Sequence, residues 1–305
     1  MVAAALSVGL GLPLATLAQN SAALPCKRLS DPQGWTVAVF KPGNYCLNHD
    51  LKQSVMPAWM RLPHQAVPMG PLIDIDDVGN VSIDLASHRL STNRDTGFGV
   101  YHLGGSGLPN KPIAPHRFIS LANGSIRTTV QPAVMIIYSF NVENTRFYHK
   151  DIGKKSLRVP ELSNAHGDLG RYLPTDYVLE NLTLTSDQVV IVMQGKHNII
   201  RHCKIIGSNA AVNLYGPNLV FEDNEIIMEA RDPTDAGGEP QVALYVEDGA
   251  DSVIRNNRFV IKGRPNAATA IMFKNSERVV MEGNTVAGKA TLFQKLDDKS
   301  TVELK

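Results

Sequence analysis

Aromatic residues are scarce in this chain, 6% of 305, and so is net charge, +1 from 30 basic and 29 acidic residues. A nucleic-acid binder normally shows a basic field and rings for base stacking, so that class is set aside. Zinc strings are missing: there is no CxxC pair and no HExxH. GLGL at 9–12 and GGSG at 104–107 lack the strand-to-helix setting and the following Lys-Ser/Thr of a phosphate loop. There are three cysteines, and no apolar run long enough for a comfortable membrane span.

What is present begins with MVAAALSVGLGLPLATLAQNS, an apolar run followed by small residues. Thr16-Leu17-Ala18 before Gln19 resembles a cleavage site, although no Lys or Arg precedes the run. The expectation is a signal peptide over 1–18 and a secreted or periplasmic mature protein, with no stable membrane span after cleavage. Cys26 and Cys46 bracket the strand-like WTVAVFKPGNYC. In an oxidising compartment they are expected to form a disulfide, which would stabilise by roughly 3 kcal/mol. Cys203 is left over and reads as a small, semi-buried residue at a bend.

One pattern recurs: VIRNNRFVI (253–261), IIRHCKII (199–206), LVFEDNEII (219–227), YVLENLTL (177–184), NVENTRF (141–147) and VVMEGNTV (279–286). On one frame, an apolar column holds Val142, Leu179, Ile200, Phe221, Ile254 and Met281. A charged column follows, then a column of Asn144, Asn181, His202, Asp223, Asn256 and Gly283. The residue types of this third column tolerate a left-handed backbone best, so a sharp bend is expected there. The charged column points outward, where opposite signs on neighbouring copies can pair. The copies lie 37, 21, 21, 33 and 27 residues apart. A unit of about 21 residues with insertions implies a solenoid. Short strands separated by bends suit an all-β parallel β-helix of about seven or eight coils, stacked ~4.8 Å apart.

The strings VSIDLASHRL, SLANGSI, VLENLTL and VIRNNRF resemble the right-handed parallel β-helix superfamily that includes pectate lyases. WTVAVFKPGNYCLNHDL resembles the segment that caps such helices. The resemblance implies one β-helix domain over 19–305, with a cap region at 19–70 and coils over 71–305. It implies little about function, because the superfamily holds lyases, hydrolases, epimerases, adhesins and non-catalytic surface proteins. The polygalacturonase strings NTD, GHG and RIK are not all present in order, and the DPHD string of mannuronan epimerases is absent.

A second strand precedes each bend, as in VVIVMQG, AAVNLYG, VALYVEDG and TAIMFKNS. Alternation turns Ile191, Met193, Val212 and Leu214 inward. It turns Gln194, Asn213, Tyr215, Tyr245, Glu247 and Lys274 outward, as a polar row suited to glycan hydroxyls and sugar faces or as an ordinary solvated face. Insertions near 87–117, 148–174 and 228–240 are expected to project from one edge and wall this row. They would bring His102, Lys154, Lys155, His166, Asp168, Arg171, Asp232 and Asp235 to its side. Catalytic candidates are His166, Asp168, Arg171, Glu247 and Lys274. Substrate-binding candidates are Gln194, Asn213, Tyr215, Tyr245, Lys154 and Lys155. No cofactor is required by any motif; Ca²⁺ is the candidate ion, with Asp232 and Asp235 as speculative ligands. The expected function is a lyase or related carbohydrate-active enzyme on an acidic polysaccharide. The alternative is a non-catalytic glycan-binding or surface β-helix protein.

Overall fold

The computed structural model describes residues 25–30, 36–53, 70–76, 78–92, 97–103, 117–129, 131–137, 174–208, 211–230, 241–263 and 268–305. Within them every element is a β-strand and every strand pairing is parallel. One coil shows the construction. Ile191–Gln194 lies in a front sheet, the chain turns, and Ile199–Arg201 enters a back sheet. His202 then bends the back sheet, Lys204–Gly207 continues it, and Val212–Tyr215 returns to the front one coil on. The described front sheet has nine strands, from Val37–Val39 to Thr291–Lys295. This is a parallel β-helix.

The recurring string has the physical content its columns suggested. Asn181, His202, Asp223, Asn256 and Gly283 all sit at φ between 52° and 61°. At Gly283 the choice is also steric, since a Cβ there would lie 2.5 Å from the Asn256 side-chain oxygen. Leu179, Ile200, Phe221, Ile254 and Met281 are buried in one continuous core. The charged residues stack in register as Glu180, Arg201, Glu222, Arg255 and Glu282. Signs alternate, and Arg201 and Arg255 donate to Glu180 and Glu222 at 2.9 and 2.7 Å. A second column runs Lys204, Glu225, Arg258 and a third pairs Glu229 with Lys262. Along three successive coils the outer charges of the back strands therefore share one sign each. Arg201 and Lys204 share one, Glu222, Glu225 and Glu229 the next, Arg255, Arg258 and Lys262 the one after.

One residue beyond the bend lies a buried asparagine ladder that the columns did not reveal. Asn224 Oδ1 accepts from the Cys203 N–H, Asn257 Oδ1 from that of Asn224, and Asn284 Oδ1 from that of Asn257. Each bend thus has its buried amide satisfied by the next coil. A second left-handed column, Asn80, Phe118, Asp176, His197, Asn218, Asp251 and Arg278, marks where the chain passes from front to back sheet.

Two expectations change. The 19–70 region does more than cap: Val37–Val39 pairs with Ile73–Asp76, and Gly43–Cys46 with Val81–Asp84, so it contributes a rung. The described coils accordingly exceed the seven or eight expected. The NVENTRF copy lies outside the described residues; the described back strands before and after it, Ile119–Arg127 and Val178–Thr185, pair directly. The presumed 87–117 insertion contains the strands Arg89–Ser91 and Val100–Leu103. Cys26 and Cys46 do form the disulfide, on neighbouring rungs with Cα atoms 5.7 Å apart.

Candidate functional site

Two rows of side chains cross the outer face of the front sheet. The first, in register, is Asp74, Tyr101, Met135, Val192, Asn213, Tyr245, Met272 and Gln294. The second, two residues further along each strand, includes Gln194, Tyr215, Glu247 and Lys274. The predicted outward direction holds for all six polar candidates. The implied solvent exposure does not: Gln194, Asn213, Tyr215 and Tyr245 are at most 3% exposed. They belong to, or neighbour, a second apolar cluster on this face that includes Met135, Ile137, Val192 and Met272. The sequence carried this signal. VMII and IVMQ are apolar at both parities, the mark of a strand buried on both faces.

The face is accessible towards its ends. At one end Glu247 is held from two sides: Tyr245 Oη–H donates to Oε2 at 2.9 Å, and Lys274 Nζ lies 2.9 Å from Oε1. The Glu247 side chain is 12% exposed and that of Lys274 35%. These three residues join neighbouring strands into one bonded group with a cation at its rim. Tyr215 and Tyr245 meet edge-on, with ring centres 6.1 Å apart. At the other end stands a set that sequence reasoning missed, Asp74, Asp76 and Tyr101. Burial, helped by the charge of Asp76, raises the Asp74 carboxyl above its usual range. Burial and the Asp74 charge push the Tyr101 phenol up to about 12.

His102 is a correction. It does not wall the groove but points into the core, on the strand next to Ile75, where its Nδ1–H donates to the Ile75 carbonyl at 2.6 Å. Its ring meets that of Tyr177 edge-on. Cys203 is buried, and burial pushes its thiol up to about 12, which suits a packing role.

His166, Asp168, Arg171, Lys154, Lys155, Asp232 and Asp235 lie outside the described residues. Their attachment points can still be placed. The 138–173 stretch joins the front strand Val134–Ile137 to the back strand Val178–Thr185. The 231–240 stretch joins the back strand Glu225–Glu229 to the front strand Gln241–Glu247. One leaves the end of a front strand and the other enters the start of one. The insertions therefore attach on opposite edges of the front sheet, not on one. Among the described residues, no group of three or more His, Cys, Asp or Glu converges as a metal site.

A family model described as a right handed beta helix region matches residues 161–302. No curated protein and no solved structure matches the chain.

Proposed function

The chain is a right-handed parallel β-helix, and from that premise we propose that it is exported and engages an acidic polysaccharide over the outer face of its front sheet, as a lyase or related carbohydrate-active enzyme. The observation that carries this reading is the Tyr245–Glu247–Lys274 group on that face. It fixes an ammonium at the accessible rim, next to paired tyrosine rings. An ammonium held there suits the carboxylate of a uronate. Attachment of long connections at both edges of the sheet also suits a groove. The Cys26–Cys46 disulfide belongs to an oxidising environment, extracellular or periplasmic.

In a lyase, a cation neutralises the uronate carboxylate and a base removes the C5 proton. Lys274 would take the first role. His166, Arg171, Lys154 or Lys155 would supply what remains, and Asp168 or Glu247 would enter only if the bond is hydrolysed through two carboxylates. A Ca²⁺ at Asp232 and Asp235 would serve the same neutralising end as Lys274. A second reading, glycan binding without turnover, is favoured by one observation: both Glu247 oxygens are already engaged.

The test is incubation of the protein with acidic and neutral polysaccharides, with and without Ca²⁺, and mass measurement of the products. Unsaturated ends establish a lyase, and fragments heavier by one water a hydrolase. Retention without product moves the assignment to a binding protein. Neither product nor retention on any glycan rejects the proposal. Lys274→Met should abolish turnover or retention while leaving the circular-dichroism spectrum unchanged.

A further inference from the structure

Beyond its left-handed bend the back sheet forms a second facet, built from Lys204–Gly207, Glu225–Glu229, Arg258–Lys262 and Thr285–Ala287. Their register lays the outward side chains in three rows. One outer row is Lys204, Glu225, Arg258 and Thr285, and the other contains Glu229 and Lys262. Between them runs an aliphatic row, Ile206, Ile227, Val260 and Ala287. Ile227 is 9% exposed, and the other three are half-buried. The flanking Lys204, Arg258, Glu229 and Lys262 side chains are 49 to 57% exposed. Ion pairs between coils already hold them in order, Lys204 to Glu225 at 2.9 Å and Lys262 to Glu229 at 3.1 Å. An apolar seam between two rows of charge is the arrangement by which paired helices set partner and register.

We propose that this facet pairs with the same facet of a second copy, across a two-fold axis that runs along the strands and passes between Glu225–Glu229 and Arg258–Lys262. The proposal is independent of the glycan reading. Such an axis inverts the stack and lays each row on itself. Glu225 then faces Arg258 of the second copy, and Glu229 faces Lys262 of the second copy. In the seam Ile227 meets Val260 of the second copy, and Ile206 meets Ala287 of the second copy. Other arrangements fail on charge, because the signs are sorted by coil. An axis along the stack sets Glu225 against Glu229 of the second copy and Arg258 against Lys262 of the second copy. A slip of one coil either way sets Glu225 on Glu225, or Arg258 on Arg258, of the second copy. Like charges so placed exclude those registers. Four strands ~4.8 Å apart and about five residues of ~3.3 Å give a facet of about 300 Å². A stable dimer buries about 800 Å² per partner, so this contact is weak and forms at high protein concentration.

The experiment measures the mass of the full chain in solution by sedimentation, from ~10 µM to ~1 mM protein. Wild type is expected to form dimers at the upper concentrations in ~0.05 M salt, and to associate about tenfold more weakly in ~0.5 M salt. Glu229→Lys alone and Lys262→Glu alone each put like charges across the axis twice, and each should stay monomeric. An equimolar mixture of the two variants restores opposite charge at both places and should give mixed dimers. Wild type that stays monomeric throughout overturns the proposal and leaves the facet a solvated face or the seat of a different protein. Single variants that associate as wild type does overturn it, and so does a mixture that fails to recover. Should a single variant fail to fold by circular dichroism, the double variant Glu229→Lys with Lys262→Glu decides. It keeps the ion pair between coils with its sense reversed, so it should pair with itself and reject labelled wild type. Free mixing with wild type refutes the proposed pairing.

Discussion

The alternation of charge along the back sheet can be tested at Glu222. Its side chain is 11% exposed, and it lies in register between Arg201 and Arg255. Glu222→Gln keeps the shape and removes the charge. It loses the charge-assisted bond from Arg255 Nε at 2.7 Å. Such bonds contribute about 1.5–3 kcal/mol, and the half-exposed Arg255 end reduces this to about 1–2 kcal/mol. Glu222→Lys does more, because it puts a third cation in a column whose members stand one strand spacing apart, ~4.8 Å. Two repulsions of about 1 kcal/mol each, between the water and near-surface limits, bring the total to about 3–4 kcal/mol. With a urea slope of about 3 kcal/mol per M, the midpoint should fall by roughly 0.5 M for Gln and by roughly 1 M for Lys. Far-UV circular dichroism reads both. At 1 M salt the screening length is about 3 Å, so the gap between the two variants should shrink sharply. If the two variants unfold at the same urea concentration, or if their gap survives high salt, the alternation of sign is incidental to stability.

Three further outcomes are expected. Asn257→Ala should cost about 3 kcal/mol, because it removes the acceptor for the Asn224 N–H and Nδ2 and the donor to the Phe221 carbonyl, all at 2.8–3.0 Å; a urea midpoint within error of wild type would show that the ladder is dispensable. Cys26→Ser with Cys46→Ser should cost about 3 kcal/mol for a 20-residue separation, seen as earlier proteolytic cleavage near the first rungs; cleavage at the wild-type rate would contradict it. Acid should weaken the stack. The Lys204 side chain, then Arg258, lowers the Glu225 carboxyl, and N–H donors of Asn275, Ser300 and Lys299 lower that of Asp297 against the opposing effect of burial. A carboxyl lowered in the folded state stabilises fully above its unfolded value near pH 4 and loses that contribution as pH falls through the folded value. Asp297→Asn should therefore show a shallower loss of stability below pH 4 than wild type, and an unchanged slope would refute the assignment.

The sequence made the back sheet legible because each coil repeats the same physical demands there. A bend must take a left-handed residue, the flanks must be apolar, and the outer column must carry alternating charge, so Asn181, His202, Asp223, Asn256 and Gly283 aligned without coordinates. The same procedure admitted NVENTRF, which satisfies the local pattern, although the described back strands before and after it pair with each other directly. A string of seven residues carries local preference, whereas membership of a rung is a property of long-range register. The front sheet was legible by half. Alternation assigned direction correctly, from Ile191 inward to Gln194 outward, but direction is local and exposure is not. Whether Asn213 meets water depends on what else in the chain lies over it. Only the apolar residues at both parities in VMII and IVMQ registered that cover. His102 failed because 87–117 was read as an insertion, whereas Val100–Leu103 is a strand in which His102 shares the inward parity of Val100. Polar residues on buried faces are thus the ones that repeat-based reading places least well: nothing in the string AAVNLYG announces that Asn213 is fully buried.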